Sequence, residues 1–473
     1  MNPKNFCAGL GGLGLGLCAL LGAARAESPM QDDPPFHNLR YRDDFSGLAG
    51  KSETSLWEKW KYIPLGDTPS GPIYLSLGGE IRERYETYQH PNFGIVSQGV
   101  KPPPSDGYLL ERLNFNADLH VTQYFRAFAE LADDRIFGRR GVPSSTDTDR
   151  FDLLQRFVEF RTPGPFGDTT SLRYGREELL FGFQRLIAVR EGPNVRRDFD
   201  GLQLNETIGS TSIDVLSVRP TVDSAYALDD ATNRKQHLGG AYVTTKVAGP
   251  LSADFYALDF VNSQAKFRGV TGVEKIETMG VRLFGKANGF DWNLEAADQF
   301  GTFGANRVQA HLLAGLVGYT FTETLFTPRL GVSANDASGD NSKSGTIGTF
   351  NPLFPRLPYF AETPLLVPAN VRDIRPVFSV HPVEKVEAIL GYDMLWKAST
   401  SDYLYGSAMS QFLNSNKGTG VRIGTELSLD VRWQVNPFLQ LGGIIADLKA
   451  GPALQEALGK DMIYGVLFAK LKF

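Results

Sequence analysis

Cysteine is almost missing from this chain. Cys7 and Cys18 are the only two in 473 residues, and both precede Ala26. Disulfide frameworks and thiolate metal sites are therefore excluded for everything beyond that point. Long apolar runs are also missing. After LGGLGLGLCALLGAA (10–24), no stretch reaches the ~18 uninterrupted apolar residues that a spanning helix needs. Basic excess is absent: the formal charge is −5, which argues against a nucleic-acid partner. Histidine is sparse, at positions 37, 90, 120, 237, 311 and 381. No His-x-x-x-His spacing suggests a metal, and no histidine falls in a nucleophile motif. Neither catalysis nor a cofactor is expected.

The opening stretch has its own logic. Lys4 precedes the apolar run, which ends in Ala24-Arg25-Ala26. That order reads as a secretory signal peptide, residues 1–26, cut after Ala26. Removing Lys4 and Arg25 moves the charge from −5 to −7. A chain without cysteine suits an oxidising compartment. Residues 27–72 are polar, carry Pro34 and Pro35, and include LWEKWKYIPLGD (56–67). They read as an irregular periplasmic lead-in to a third unit, 73–473.

From Ile73 onward, segments of period-two alternation are separated by turn residues. LGGEIRERYE (77–86) sets Leu77, Gly79, Ile81 and Tyr85 against Glu80, Arg82, Arg84 and Glu86. RLNFNADLHV (112–121) and VRIGTELSLDVRW (421–433) repeat the pattern. The segments near 153–160 and 251–262 are mixed, and parity does not assign their faces. Connections alternate in length. Short ones stand at 122–123, 287–290, 383–385 and 436–437. Long ones stand at 89–106, 135–150, 181–197, 221–235, 337–369 and 400–418. This is the pattern of a closed antiparallel transmembrane β-barrel, all-β, with about 18 strands, short periplasmic turns and long extracellular loops. An exported soluble sandwich shares the alternation, but structureless loops of this length sit poorly in one. Glu83 falls on the lipid-facing parity, so it is expected at headgroup level or beside a bulge.

Closure removes the sheet edges that lipid does not tolerate. The closing strand, DMIYGVLFAKLKF (461–473), ends on Phe473. It resembles the signal by which the barrel-assembly machinery recognises outer-membrane barrels.

Four pieces resemble the alginate export family of bacterial outer-membrane β-barrel proteins. They are KYIPLGD (61–67) with LSLGGEIRERYE (75–86), LRYGREELLFGFQRLIAVREGPNVRRDFDGLQL (172–204), TFNPLFPRLPYF (349–360) with PANVRDIRP (368–376), and the closing strand. The resemblance implies a monomeric 18-stranded barrel in the outer membrane of a Gram-negative bacterium, in contact with lipid and lipopolysaccharide. It implies an electropositive constriction that passes an acidic polysaccharide. Arg176 resembles the strand arginine of the family's Gly-Arg-Gln motif. Arg112 and Arg156 take the places of lumen arginines, and Arg82 that of a basic residue on the first strand. Asp198 and Asp200 resemble polar residues of the narrowing loop. FLQLGG (438–443) lacks the arginine pair that the alginate exporter carries on its penultimate strand.

The residues support a conduit without the family. Arg84, Arg282 and Arg422 join Arg82 and Arg112 on lumen parity, with carboxylates interleaved. Arginine rings lower the barrier for anions, and interleaved carboxylates keep each site weak enough to release. Opposite charges in a wet barrel also simply satisfy one another. Arg185 and Arg190 lie in the 181–197 loop, which makes a constriction if it folds inward. The expected conduit is thus Arg82, Arg84, Arg112, Arg156, Arg176, Arg185, Arg190, Asp198, Asp200, Arg282 and Arg422. The expected cargo is an acidic exopolysaccharide such as alginate, moving outward. The alternative is a porin that takes up small anionic or aromatic compounds.

Overall fold

In the computed structural model, the described residues are 36–51, 55, 57–97, 99–165, 168–341 and 345–473. The expected signal peptide lies outside them. Eighteen antiparallel strands close into one barrel. In chain order they are β1 (Gly71–Gln89), β2 (Ser105–Val121), β3 (Phe125–Phe137), β4 (Asp149–Thr162), β5 (Thr169–Glu177), β6 (Phe199–Ile208), β7 (Thr211–Val222), β8 (Gln236–Ala248) and β9 (Leu251–Phe267). There follow β10 (Val270–Ala287), β11 (Phe290–Phe303), β12 (Asn306–Thr320), β13 (Arg329–Ala337), β14 (Val371–Val383), β15 (Val386–Lys397), β16 (Arg422–Gln434), β17 (Leu439–Ala450) and β18 (Met462–Lys472). β1 pairs with both β2 and β18, so no edge is left.

Long and short connections mostly alternate around the ring as the sequence pattern implies; the exceptions are the two-residue turns 268–269 and 304–305, which share a rim with the long loops. The other short turns and both described chain ends lie at the opposite rim, which faces the periplasm in such barrels. The outer wall is apolar: Ile81, Tyr85, Leu113, Phe115, Leu427 and Leu429 are all exposed.

The register through Glu83 is continuous, with Glu111 on one side and Ala469 on the other, so no bulge relieves it. A tilted strand climbs ~2.5 Å of depth per residue, which puts Glu83 ~25 Å above Ile73, the height of the apolar band. Glu111 and Arg135 stand beside it in register, also on the outer face. Glu83 therefore meets the headgroup layer.

The lumen is only partly wet. Among the described residues, loops 90–104, 398–421 and 451–461 pack into its extracellular end, and three further segments bear on the centre. Residues 36–44 enter from the periplasmic mouth, where the Tyr41 ring packs edge-on against Phe128 and Phe157. The loop joining β5 to β6 (178–198) folds inward, here called the constriction loop. The loop joining β13 to β14 (338–370) folds onto it, here called the cap loop. Backbone bonds from Phe354 N to Leu186 O (2.9 Å) and from Arg356 N to Gln184 O (3.0 Å) join these two loops. Leu179, Leu186, Ile187, Phe350 and Phe354 pack against inward-facing Leu238, Leu258, Phe260 and Ile276. In the extracellular half the inner face is thus apolar, because loops rather than water lie against it.

Candidate functional site

The constriction loop is held by arginines that reach from the wall. Arg112, fully buried on β2, donates to the carbonyls of Pro193 (2.7 Å) and Asn194 (2.7 and 2.8 Å) and to the Glu191 carboxylate (3.0 Å). Arg82, one strand over, donates to the carbonyls of Glu191 (2.8 Å) and Pro193 (2.9 Å). The Asn194 amide reaches outward to the carbonyls of Glu111 (3.0 Å), Arg135 (3.2 Å) and Asp147 (3.1 Å). Buried charges survive only when paired and hydrogen-bonded. Here the chain turns around Pro193 so that its carbonyls face the guanidinium groups.

Within the loop, Arg196 bonds Glu178 and Glu191, and its guanidinium also reaches the side chain (3.1 Å) and carbonyl (3.0 Å) of Asn38. The lead-in segment is thereby tied to the constriction. Its Tyr41 hydroxyl donates to Glu178 O at 3.1 Å, and Arg126 on β3 donates to Tyr41 O. Lower down, Arg40 donates to the carbonyls of Gly79 (2.7 Å) and Phe473 (3.0 Å), across the barrel's closing seam. Lys61 donates to Leu77 O at 2.7 Å. Burial, with Arg40 adding to it, pushes the Lys61 amine down to about 7.

At the centre, between the two loops and β1, β14, β16 and β18, lies a cavity of about 160 Å³. Arg82, Arg84, Arg356, Arg375, Arg432 and Lys470 line it, against the carboxylates Glu191, Glu362 and Asp430. Arg432 grips Asp430 through Nε (2.9 Å) and Nη2 (2.6 Å), and Arg375 donates to Glu362 at 3.0 Å. Cations still outnumber carboxylates two to one on its lining. A wall of low dielectric around such a surplus favours an anion.

The model of a family described as alginate export matches residues 73–468. The chain belongs to the alginate export family. No curated protein matches it. Among solved structures it is similar to Pseudomonas aeruginosa OpdO (TM-score 0.56, 10% identity, 84% of this chain and 97% of that one). It is also similar to Acinetobacter baumannii OccAB1 (TM-score 0.54, 13% identity, 87% and 99%). A third similar structure is P. aeruginosa OccK11 (TM-score 0.54, 11% identity, 84% and 96%). At such identities these likenesses speak for the barrel alone. Family membership and barrel together make the protein a channel of the Gram-negative outer membrane.

The sequence-expected conduit residues of this alginate export family member divide into three groups. Arg82 and Arg84 line the central cavity; Arg84 also bonds Glu86 (2.6 Å) and the Tyr464 hydroxyl (2.8 Å). Others face inward but serve as braces. Arg112 clamps the constriction loop. Arg185 anchors it to β11 through Asn293 (2.9 Å) and Glu295 (2.7 Å). Arg190 holds the carbonyls of Val195 and Arg196 and the Asp223 carboxylate (2.9 Å). Arg282 bonds Asp254 (2.7 Å) and covers the Phe284 ring. Asp198 accepts from the Thr221 hydroxyl. Burial raises its carboxyl well above the usual range.

The third group is on the other face, which corrects the parity placement of Arg422 and the placement of Arg156 and Arg176 that the family resemblance implied. Arg156 is exposed on the outer wall. A bulge at Leu154 shifts β4 by one residue against β3, so Gln155 and Phe157 point inward instead. Arg422 is likewise exposed, because a register shift at Ile423 turns that apolar side chain into the core. Arg176 shares the parity of exposed Leu172 and Tyr174 and lies under the β7–β8 loop, paired with Asp200 at 3.1 Å. His311 is also exposed on the outer face, since Ala310 and Leu312 take the inner face.

Sequence reasoning missed Arg356, Arg375, Glu191 and Asn194. Arg375 was findable: it alternates with Ile374 in the quoted PANVRDIRP, as an inward residue should. The docking of residues 36–44 left no periodic signal.

Proposed function

We propose that this channel conducts small carboxylate-bearing anions through the basic cavity between the constriction and cap loops. The supporting observation is that cavity: six cationic side chains against three carboxylates, around about 160 Å³. Arginine forks suit carboxylate recognition, and the interleaved Glu191, Glu362 and Asp430 compete for the same guanidiniums, so a bound anion is released readily. No step in this reading needs a cofactor.

A second reading is export of an acidic polysaccharide such as alginate, and the family match favours it. It requires residues 36–44 and both inward loops to withdraw, since a polymer needs a continuous path. Planar-bilayer recordings separate the two. Under the first reading, sodium glucuronate permeates, and an added polyuronate oligomer leaves the current unchanged. Under the second, the oligomer blocks the current from the periplasmic side. An absence of anion conductance overturns both.

A further inference from the structure

Away from the cavity, the extracellular rim carries a group that conduction does not use. Asp149 and Asp152 open β4, and Asp229 and Asp230 sit in the loop between β7 and β8. One carboxylate oxygen from each falls within 4.8 Å of all the others. Asp149 is 6% exposed, and its Oδ1 is buried without a hydrogen-bond donor. Among the described residues, no Lys or Arg forms an ion pair with Asp149, Asp152 or Asp229. Arg176 comes no nearer than 3.9 Å to the Asp230 carboxylate and is already engaged by Asp200 at 3.1 Å.

Some donors do reach the cluster. The Asp229 and Asp230 amides donate to Asp152 Oδ2 (2.9 and 3.3 Å), and the Ser224 amide donates to Asp230 Oδ1 (2.8 Å). These bonds fold the loop onto β4 and aim the acids at one point. They leave most of the negative charge uncompensated. A buried carboxylate without donor or counter-ion is costly, and the cost is removed by a proton or a cation. Four carboxylates offer more oxygens than one proton uses. Oxygen-only donors on a strand start and a separate loop suit calcium, which takes 6–8 oxygen ligands at flexible geometry, better than magnesium, which demands a near-ideal octahedron.

We propose that Asp149, Asp152, Asp229 and Asp230 form a calcium-binding site that pins the β7–β8 loop to the extracellular rim of β4. The loop also carries Asp223, the partner of Arg190 in the constriction loop (2.9 Å). Calcium would therefore brace the constriction from outside.

The test uses full-length protein refolded from inclusion bodies, so that no lipopolysaccharide brings its own cations. After EDTA treatment it is titrated calorimetrically with CaCl2, and separately with MgCl2. The expected result is one saturable calcium site, with magnesium at least tenfold weaker. Asp149→Asn/Asp152→Asn is expected to weaken calcium at least tenfold. Heat-modifiable gel mobility reports whether that variant folds. Asp229→Asn, a change at an exposed position, serves if it does not. In native protein, calcium should also slow proteolysis of the 223–235 loop. No saturable calcium binding, or unchanged affinity in the folded variants, overturns the proposal and leaves the cluster held by protons.

Discussion

Arg112 grips Asn194 twice. Its Nε and Nη2 both donate to the Asn194 carbonyl, at 2.8 and 2.7 Å, while the Asn194 amide passes beyond it to the wall carbonyls of Glu111 and Arg135 and to that of Asp147 in the β3–β4 loop. One residue of the constriction loop is thus bound to β2 and β3 from both directions. Arg112→Ala should remove the guanidinium paired with buried Glu80 and leave Glu191 to Arg196 and Arg82. Breaking a buried pair by removing one partner costs about 3–5 kcal/mol. The denaturation midpoint in lipid vesicles should fall accordingly, and the loop should become protease-accessible. A midpoint equal to the native one would mean that the clamp carries no load.

The cavity cations and the misassigned arginines make a matched set. Arg375→Gln should roughly halve anion selectivity, because it removes one of the charges that set the field of the cavity. Arg156→Gln and Arg422→Gln should leave selectivity unchanged, since both side chains lie on the outer face. Zero-current potentials in a salt gradient read all three. A shift in either outer-wall variant equal to that of Arg375→Gln would contradict the bulge assignment.

Those two arginines show what was legible in the sequence and what was not. The barrel was legible because lipid enforces alternation over the whole wall, as in the runs of β1, β2 and β16. The alternation fails where a bulge intervenes, and a bulge such as that at Leu154 leaves no residue-type signature. It also fails in β9, whose mixed reading has a physical cause. Leu258 and Phe260 face inward and are apolar because the folded-in loops, not water, cover them. The wall arginines Arg82 and Arg112 were visible by parity, but the carbonyls they hold depend on the turn at Pro193 and had no sequence marker. The acidic rim cluster joins segments far apart in the chain and was invisible for the same reason.

The docking of the lead-in segment should depend on pH. Lys61 has its amine pushed down to about 7 when docked. Undocked, it returns to the ordinary lysine value near 10.4. Between these values the undocked state binds the extra proton, so docking weakens as pH falls from ~10 toward 7 and levels off below, by up to tenfold per unit. A cysteine placed at Leu39, buried when the segment is docked, reports docking by its maleimide labelling rate. Labelling relative to the same probe in Lys61→Met should rise as pH falls through this window. A constant ratio would remove Lys61 from the account.

The closing seam has no spare room. A Cβ on Gly79 would lie well inside contact distance of the Asn114 carbonyl oxygen and 2.7 Å from the Phe473 ring. Gly79 also exchanges backbone bonds with Phe473, at 2.8 and 3.0 Å. Gly79→Val should cost about 1–3 kcal/mol by overpacking and lower the folded fraction on heat-modifiability gels. Native-like yield would show that the seam can shift.

Under the proposed function, surplus positive charge at the constriction selects anions. The most direct measurement is the reversal potential of single channels of the native protein in a tenfold KCl gradient. The account predicts a potential of the sign set by chloride, reduced in Arg375→Gln and further in Arg375→Gln/Lys470→Gln. A potential of the sign set by potassium in the native channel would contradict it.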